Sequence, residues 1–160
     1  MDDQKKLEWM KATFETLCQA LDAIQWRYQK NEEKLVIACG VSSEDLPIDL
    51  VVQVDKDRCA AILLSKMAFA IREDRRLDMA VAIAAVNNRL VHGCFDYSLT
   101  EGRIFFRLTN SFIDSVLSKE VFIYMLACAT STVDDYNDKL MMLGKGLITL
   151  EQFLELLEQK

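Results

Sequence analysis

The chain has 160 residues, 51% of them hydrophobic and 28% charged, with one proline and five glycines. That composition excludes a disordered or low-complexity chain and matches one globular domain, 1–160, with a sizeable core. A net charge of −6 and a pI near 4.9 argue against binding to phosphate backbones, so no nucleic-acid partner is expected.

The first predicted element is a helix over residues 4–24. Leu7, Met10, Phe14, Leu17, Leu21 and Ile24 follow a 3-4-3-4-3 spacing and form a narrow apolar stripe. Such a stripe either lies on a sheet or packs in part against a second subunit. Trp26 and Tyr28 then alternate with polar neighbours, and the Asn31-Glu-Glu33 stretch supplies turn chemistry. Residues 34–41 read as a strand, 42–47 as a loop ending at the single proline, and 48–55 as a half-buried strand with period two. The turn Asp55-Lys-Asp-Arg58 leads to an apolar strand over 59–65. Short polar connections between these strands predict an antiparallel meander.

A second helix is expected over 73–91, with Leu77, Ala80, Val81, Ala84, Ala85 and Asn88 as its inner face. Arg72, Arg75 and Arg76 then belong to its solvated first turn. A hairpin follows, 94–99 paired with 103–109 about Glu101-Gly102. Its second strand is apolar on both faces at Ile104, Phe105 and Phe106, a pattern that calls for cover on both sides or a dimer contact. Ser118 is placed as the N-cap of a third helix ending near Leu143, with Gly144 as its C′ residue. Thr149-Leu-Glu-Gln152 fits a capping box opening a last helix over about 149–159.

The residues offer no catalytic set. The five cysteines are widely spaced and sit in apolar patterns, so buried, reduced thiols are expected, with no zinc site and no cofactor. His92 is the single histidine and lies at a helix-to-strand junction without a nucleophile beside it. Asp55/Asp57 and Asp134/Asp135 are assigned to a turn and a helix surface. Gly144-Lys-Gly146 follows a helix and lacks phosphate-loop spacing. Of the Asn87-Asn88 pair, Asn88 is expected to bond backbone at the sheet edge. No apolar run is long enough to span a bilayer, and the first residues lack a signal-peptide pattern, so no membrane partner and a cytoplasmic location are expected.

The run from Ala85 through Val86-Asn87, Gly93, Phe95, Glu101-Gly102 and Phe106-Arg107 resembles the YbjN family of bacterial proteins, often labelled sensory transduction regulators. Members carry a "VN..N" helix end followed by "G.F..D..DG.L.FR". Here Asn88 directly follows Asn87, which shifts the second asparagine of that pattern. The order of elements agrees across about 14–143. The resemblance implies an α+β fold similar to type III secretion chaperones: an antiparallel sheet, meander plus hairpin, with helices packed against it, and often a homodimer. It implies a role in binding or regulation and supplies no active site to carry over. The expectation is therefore a non-enzymatic, chaperone-like module that binds a segment of a partner protein. Its interaction surface is placed at Leu7, Met10, Phe14, Ile104, Phe105 and Phe106. The alternative is a small-molecule sensor with a pocket between the sheet and the alanine-lined second helix.

Overall fold

A computed structural model describes residues 3–43 and 45–159. Met1, Asp2, Glu44 and Lys160 lie outside the described residues, and with them the ends of the expected domain and one position of the 42–47 loop. Helix α1 spans Asp3–Ala23 and is followed by strands β1 (Tyr28–Asn31), β2 (Val36–Val41), β3 (Ile48–Asp55) and β4 (Ala60–Lys66). A short 3-10 turn (Glu73–Arg75) opens helix α2 (Arg76–Asn87). Strands β5 (Cys94–Ser98) and β6 (Arg103–Ser111) and helices α3 (Lys119–Gly144) and α4 (Leu150–Glu158) complete the order.

The strands form one antiparallel sheet in the order β1-β2-β3-β4-β6-β5. The meander and the hairpin are thus joined edge to edge, with β6 against β4. Period-two side chains sort the two faces. In β3, Ile48, Leu50, Val52 and Val54 are buried while Asp49, Val51 and Gln53 point to solvent. In β6, Ile104, Phe106 and Leu108 are buried and Arg103, Arg107 and Thr109 are exposed. The helices cover the buried face, α1 and α3 over the meander and α2 over β5, while α4 packs on α2 and α3.

Local signals account for most element ends. The Asn31 carboxamide accepts from the Lys34 N–H, and Leu35 closes that turn with a left-handed φ of 52°, so β2 begins at Val36 rather than at residue 34. Asp55 accepts the Asp57 and Arg58 N–H groups in the β3–β4 turn, the local capping that short acidic side chains perform. Ser118 caps α3 by accepting from Val121 N–H. Thr149 and Gln152 form the reciprocal capping box of α4. The α3 terminus departs from expectation: Gly144 is the last helical residue and Gly146, at φ +74°, is the left-handed one. Leu147 N–H reaches the Met142 carbonyl and Gly146 N–H the Leu143 carbonyl, the closure that lets a chain leave a helix with its last carbonyls paired.

Helix α2 carries the largest difference. Its buried residues are Met79, Ala82, Ile83 and Val86, whereas Leu77, Val81, Ala84 and Asn88 of the expected inner face are exposed. Apolar residues surround this helix, so two faces match the helical period equally well. The packing selected the face that fills more volume, with Met79, Ile83 and Val86 in place of alanines. The helix also stops earlier than expected, at Asn87, because that side chain turns to the sheet.

Candidate functional site

The candidate site is a groove beside α1, where the helix overhangs the turns at one end of the meander. Hydrophobic periodicity presents Met10, Phe14, Leu17 and Leu21 to the core, and Lys6, Lys11 and Glu15 fall on the flank of the helix. The β1–β2 and β3–β4 turns rise opposite that flank. Three hollows lie between them. One of about 450 Å³ is lined by Lys11, Phe14, Glu15, Cys18, Lys30, Glu32 and Leu35. A second of about 520 Å³ shares Leu35 and adds Met10, Val36, Val54 and the 55–57 turn. A third of about 340 Å³ shares Met10, Lys56 and Asp57 and ends at Lys6 and Leu7. Leu35 borders the first two and Met10, Lys56 and Asp57 border the last two, so the hollows lie side by side as a groove along α1.

Its rim is charged and balanced. Lys30 pairs with Glu32 at 2.6 Å, holding the Glu32 carboxyl below its ordinary range and the Lys30 ammonium above its own. Outside the groove lining, Tyr28 O–H donates to Asp22 at 3.1 Å, and burial followed by that bond pushes the phenol up to about 12. Burial also raises the Cys18 thiol, so the sulfur that faces the groove is held as a neutral thiol rather than a nucleophilic thiolate. This is the chemistry of a binding trough, with apolar floor and polar lip.

Of the six expected surface residues, the fold brings Leu7, Met10 and Phe14 together along this groove. Leu7 is 47% exposed, while Met10 and Phe14 are each 6% exposed and contribute floor. Ile104 and Phe106 do not belong to a surface: both are fully buried, because the pleat turns alternate residues of β6 under the helices. Phe105 alone of that strand's aromatic pair points outward, half-buried, in register between Lys66 and Asp96 on the open face of the sheet. It lies there with the cross-strand row Ala38, Val51 and Leu64. Leu35, expected within the strand over 34–41, instead ends the β1–β2 turn and lines two of the three hollows. The signal for it was an apolar residue placed directly after a polar turn.

The other candidates resolve into structure. The Asn87 carboxamide, not that of Asn88, meets the sheet edge: it donates to the Phe95 carbonyl at 3.0 Å and accepts from the Phe95 N–H at 2.8 Å. His92 is exposed and stands edge-on to Tyr124 with centroids 5.4 Å apart. Asp55 is committed to its turn and to Arg58 at 2.7 Å. Gly144 and Gly146 end a helix. Among the described residues there is no group of three or more His, Cys, Asp or Glu placed to hold a metal ion, and no helix is long and apolar enough to cross a membrane.

A family model described as "YbjN: Putative bacterial sensory transduction regulator" matches residues 13–142. The chain belongs to the YbjN family. No curated protein matches this YbjN-family chain significantly by sequence. Among solved structures it is similar to YbjN from E. coli, a putative transcription regulator by its own description, at 13% identity and a TM-score of 0.55, covering 82% of this chain and 88% of that one. It is similar to the ExsC–ExsE complex at 12% identity and a TM-score of 0.58, covering 79% and 92%. It is also similar to the HopA1–SchA chaperone–effector complex at 11% identity and a TM-score of 0.55, covering 81% and 97%. At these identities the likeness is one of fold: the α+β architecture of secretion chaperones. The family match ends at residue 142, so α4 lies beyond it.

Proposed function

We propose that this YbjN-family chain is a non-enzymatic, chaperone-like interaction module that holds an extended segment of a partner protein in the groove beside α1. The observation that carries this reading is the groove itself, a trough floored by Met10, Phe14, Leu35 and Val54 and lipped by alternating lysines and carboxylates. A segment with spaced apolar side chains would bury them on the floor while its backbone stays near the polar lip. The fold shared with the HopA1–SchA chaperone–effector complex supports the same reading. In it the module acts as a homodimer and takes no cofactor.

The burial of α2 favours this reading over a sensor with a pocket between sheet and helix. Met79, Ala82 and Val86 of α2 are fully buried, and Phe95 meets Phe106 and Tyr136 edge-on beneath the helix layer. These side chains pack in the layer between sheet and α2.

A photo-crosslinking amino acid at position 7, in cells that natively make the protein, tests the groove. The expected result is a discrete adduct that is lost when Leu35→Glu is added and that is not formed from position 147. Adducts of equal yield from positions 7 and 147, or none from position 7, would sink the assignment.

A further inference from the structure

Two polar side chains occupy positions that the pattern of their elements reserves for the core. In β4, Ala61, Leu63 and Ser65 alternate toward the helices, and Ser65 is 1% exposed. In α3, Val133, Asn137 and Leu140 share the buried face at helical spacing, and Asn137 is 2% exposed. A hydroxyl or carboxamide withdrawn from water opposes folding unless it finds a hydrogen-bond partner. The Asn137 Oδ1 has one, the Asp138 N–H at 2.6 Å. The Asn137 Nδ2 and the Ser65 Oγ are buried and bond no protein group among the described residues, not even each other.

Both residues line one small cavity between the end of β4, helix α3 and the loop before β3. Leu46, Pro47, Met67, Phe69 and Val133 supply apolar wall, and Pro47 has no N–H to offer. Lys66 lends the cavity no charge, because it is exposed on the open face of the sheet opposite Phe105. The cavity measures about 10 Å³, close to one water-sized sphere. No organic ligand fits that space.

We propose that this cavity is a binding site for a single internal water, which bridges Asn137 to Ser65 and joins α3 to the end of β4. The donor set selects water. Nδ2 only donates, so the occupant must accept there, which excludes a metal cation. The Ser65 hydroxyl donates or accepts, so it takes the bond that the occupant leaves over. A water oxygen meets both demands, and two polar partners suffice to hold a buried water. The bridge closes only when Asn137 stands level with Ser65. It therefore fixes the position of α3 along β4, as a satisfied buried polar contact does and an apolar contact does not.

Water-selective NOE spectroscopy on isotope-labelled protein tests the site, with the Asn137 side-chain amide as reporter. The wild type is expected to show a cross-peak from this amide to water. Ser65→Ala is expected to keep it, because Asn137 still holds the water. A peak relayed by exchange of the Ser65 hydroxyl would vanish in that variant. Ser65→Val places a methyl group in the cavity and is expected to abolish the peak while the amide itself stays visible. A wild type without the peak, loss of the peak in Ser65→Ala, or its survival in folded Ser65→Val each overturns the proposal. Should Ser65→Val fail to fold, a high-resolution crystal structure of the wild type decides. It is expected to show one ordered oxygen about 2.7–3.2 Å from both Asn137 Nδ2 and Ser65 Oγ. A direct bond between the two side chains, or a cavity without ordered density, overturns it.

Discussion

The Asn87 carboxamide is bonded to both backbone groups of Phe95, its Nδ2 donating to the carbonyl and its Oδ1 accepting from the N–H. Phe95 sits on β5, the last strand of the sheet, so no neighbouring strand offers these partners. A helical side chain supplies them instead, and the helix must end there for it to do so. The turn that follows requires Gly93, at φ +76°, where a Cβ would stand 2.9 Å from the Arg107 carbonyl. One residue thus ends α2, starts β5 and closes the edge against strand addition.

Asn87→Ala leaves a half-buried N–H and C=O without their partners. The expected loss is about 1–3 kcal/mol in urea unfolding. Asn88→Ala, at an exposed helix end, should change stability by less than about 0.5 kcal/mol. Equal losses at the two positions would contradict the assigned role.

The two faces of β6 can be separated by truncation. Phe106 is fully buried and packs edge-on against Phe95 with centroids 5.2 Å apart, so Phe106→Ala should cost about 3–5 kcal/mol. Phe105→Ala, on the open face, should cost less than half of that by the same denaturation measurement. The converse order would place the helices on the other side of the sheet.

Capping predicts a smaller effect at α4. Thr149→Ala removes the side-chain acceptor for Gln152 N–H at 3.2 Å and should lower stability by about 1 kcal/mol. Gly146→Ala forces a side chain into a left-handed backbone at φ +74°, with a similar expected cost. Thermal melts of both variants test whether α4 docks as part of the cooperative unit.

On the open face, Arg107 grips Asp96 through Nε at 2.6 Å and Nη2 at 3.1 Å. The guanidinium holds the Asp96 carboxyl below the ordinary carboxylate range. A carboxyl whose folded pKa is depressed stabilises fully above its unfolded value, near about 3.9, and loses that stabilisation as pH falls through the lower folded value. Both side chains are 44% exposed, so the pair contributes under about 1 kcal/mol. The stability difference between wild type and Asp96→Asn should therefore be constant from neutral pH down to about 5 and fade as pH falls through the depressed folded value. A difference that grows on acidification would reverse the sign of this coupling.

Several elements were legible because their signals are local. Thr149 and Gln152 lie three residues apart and satisfy each other whatever surrounds them. Asn31 and Asp55 fold their own turns, and the alternation in 48–55 names its buried side once any cover exists. The family run 85–107 was legible for the same reason, since its glycines and asparagine serve one continuous helix-to-hairpin turn.

Residues whose roles depend on distant partners were not legible. Nothing in α2 by itself distinguishes Leu77 and Val81 from Met79 and Ile83, because both sets recur at helical spacing. The sheet and α4 made that choice by volume. Ile104, Phe105 and Phe106 are consecutive and equally apolar, and only the position of the helices decided which of them would be buried. The α1 groove likewise exists because turns some twenty to forty residues downstream come back beside residues 6–18.

The sequence by itself determined most of the elements, their order and the N-caps at Ser118 and Thr149, since each rests on residues a few positions apart. The tertiary structure decided which apolar faces are core and which remain open. Burial is a property of what lies across the gap, and hydrophobic burial carries no direction until a partner surface is in place.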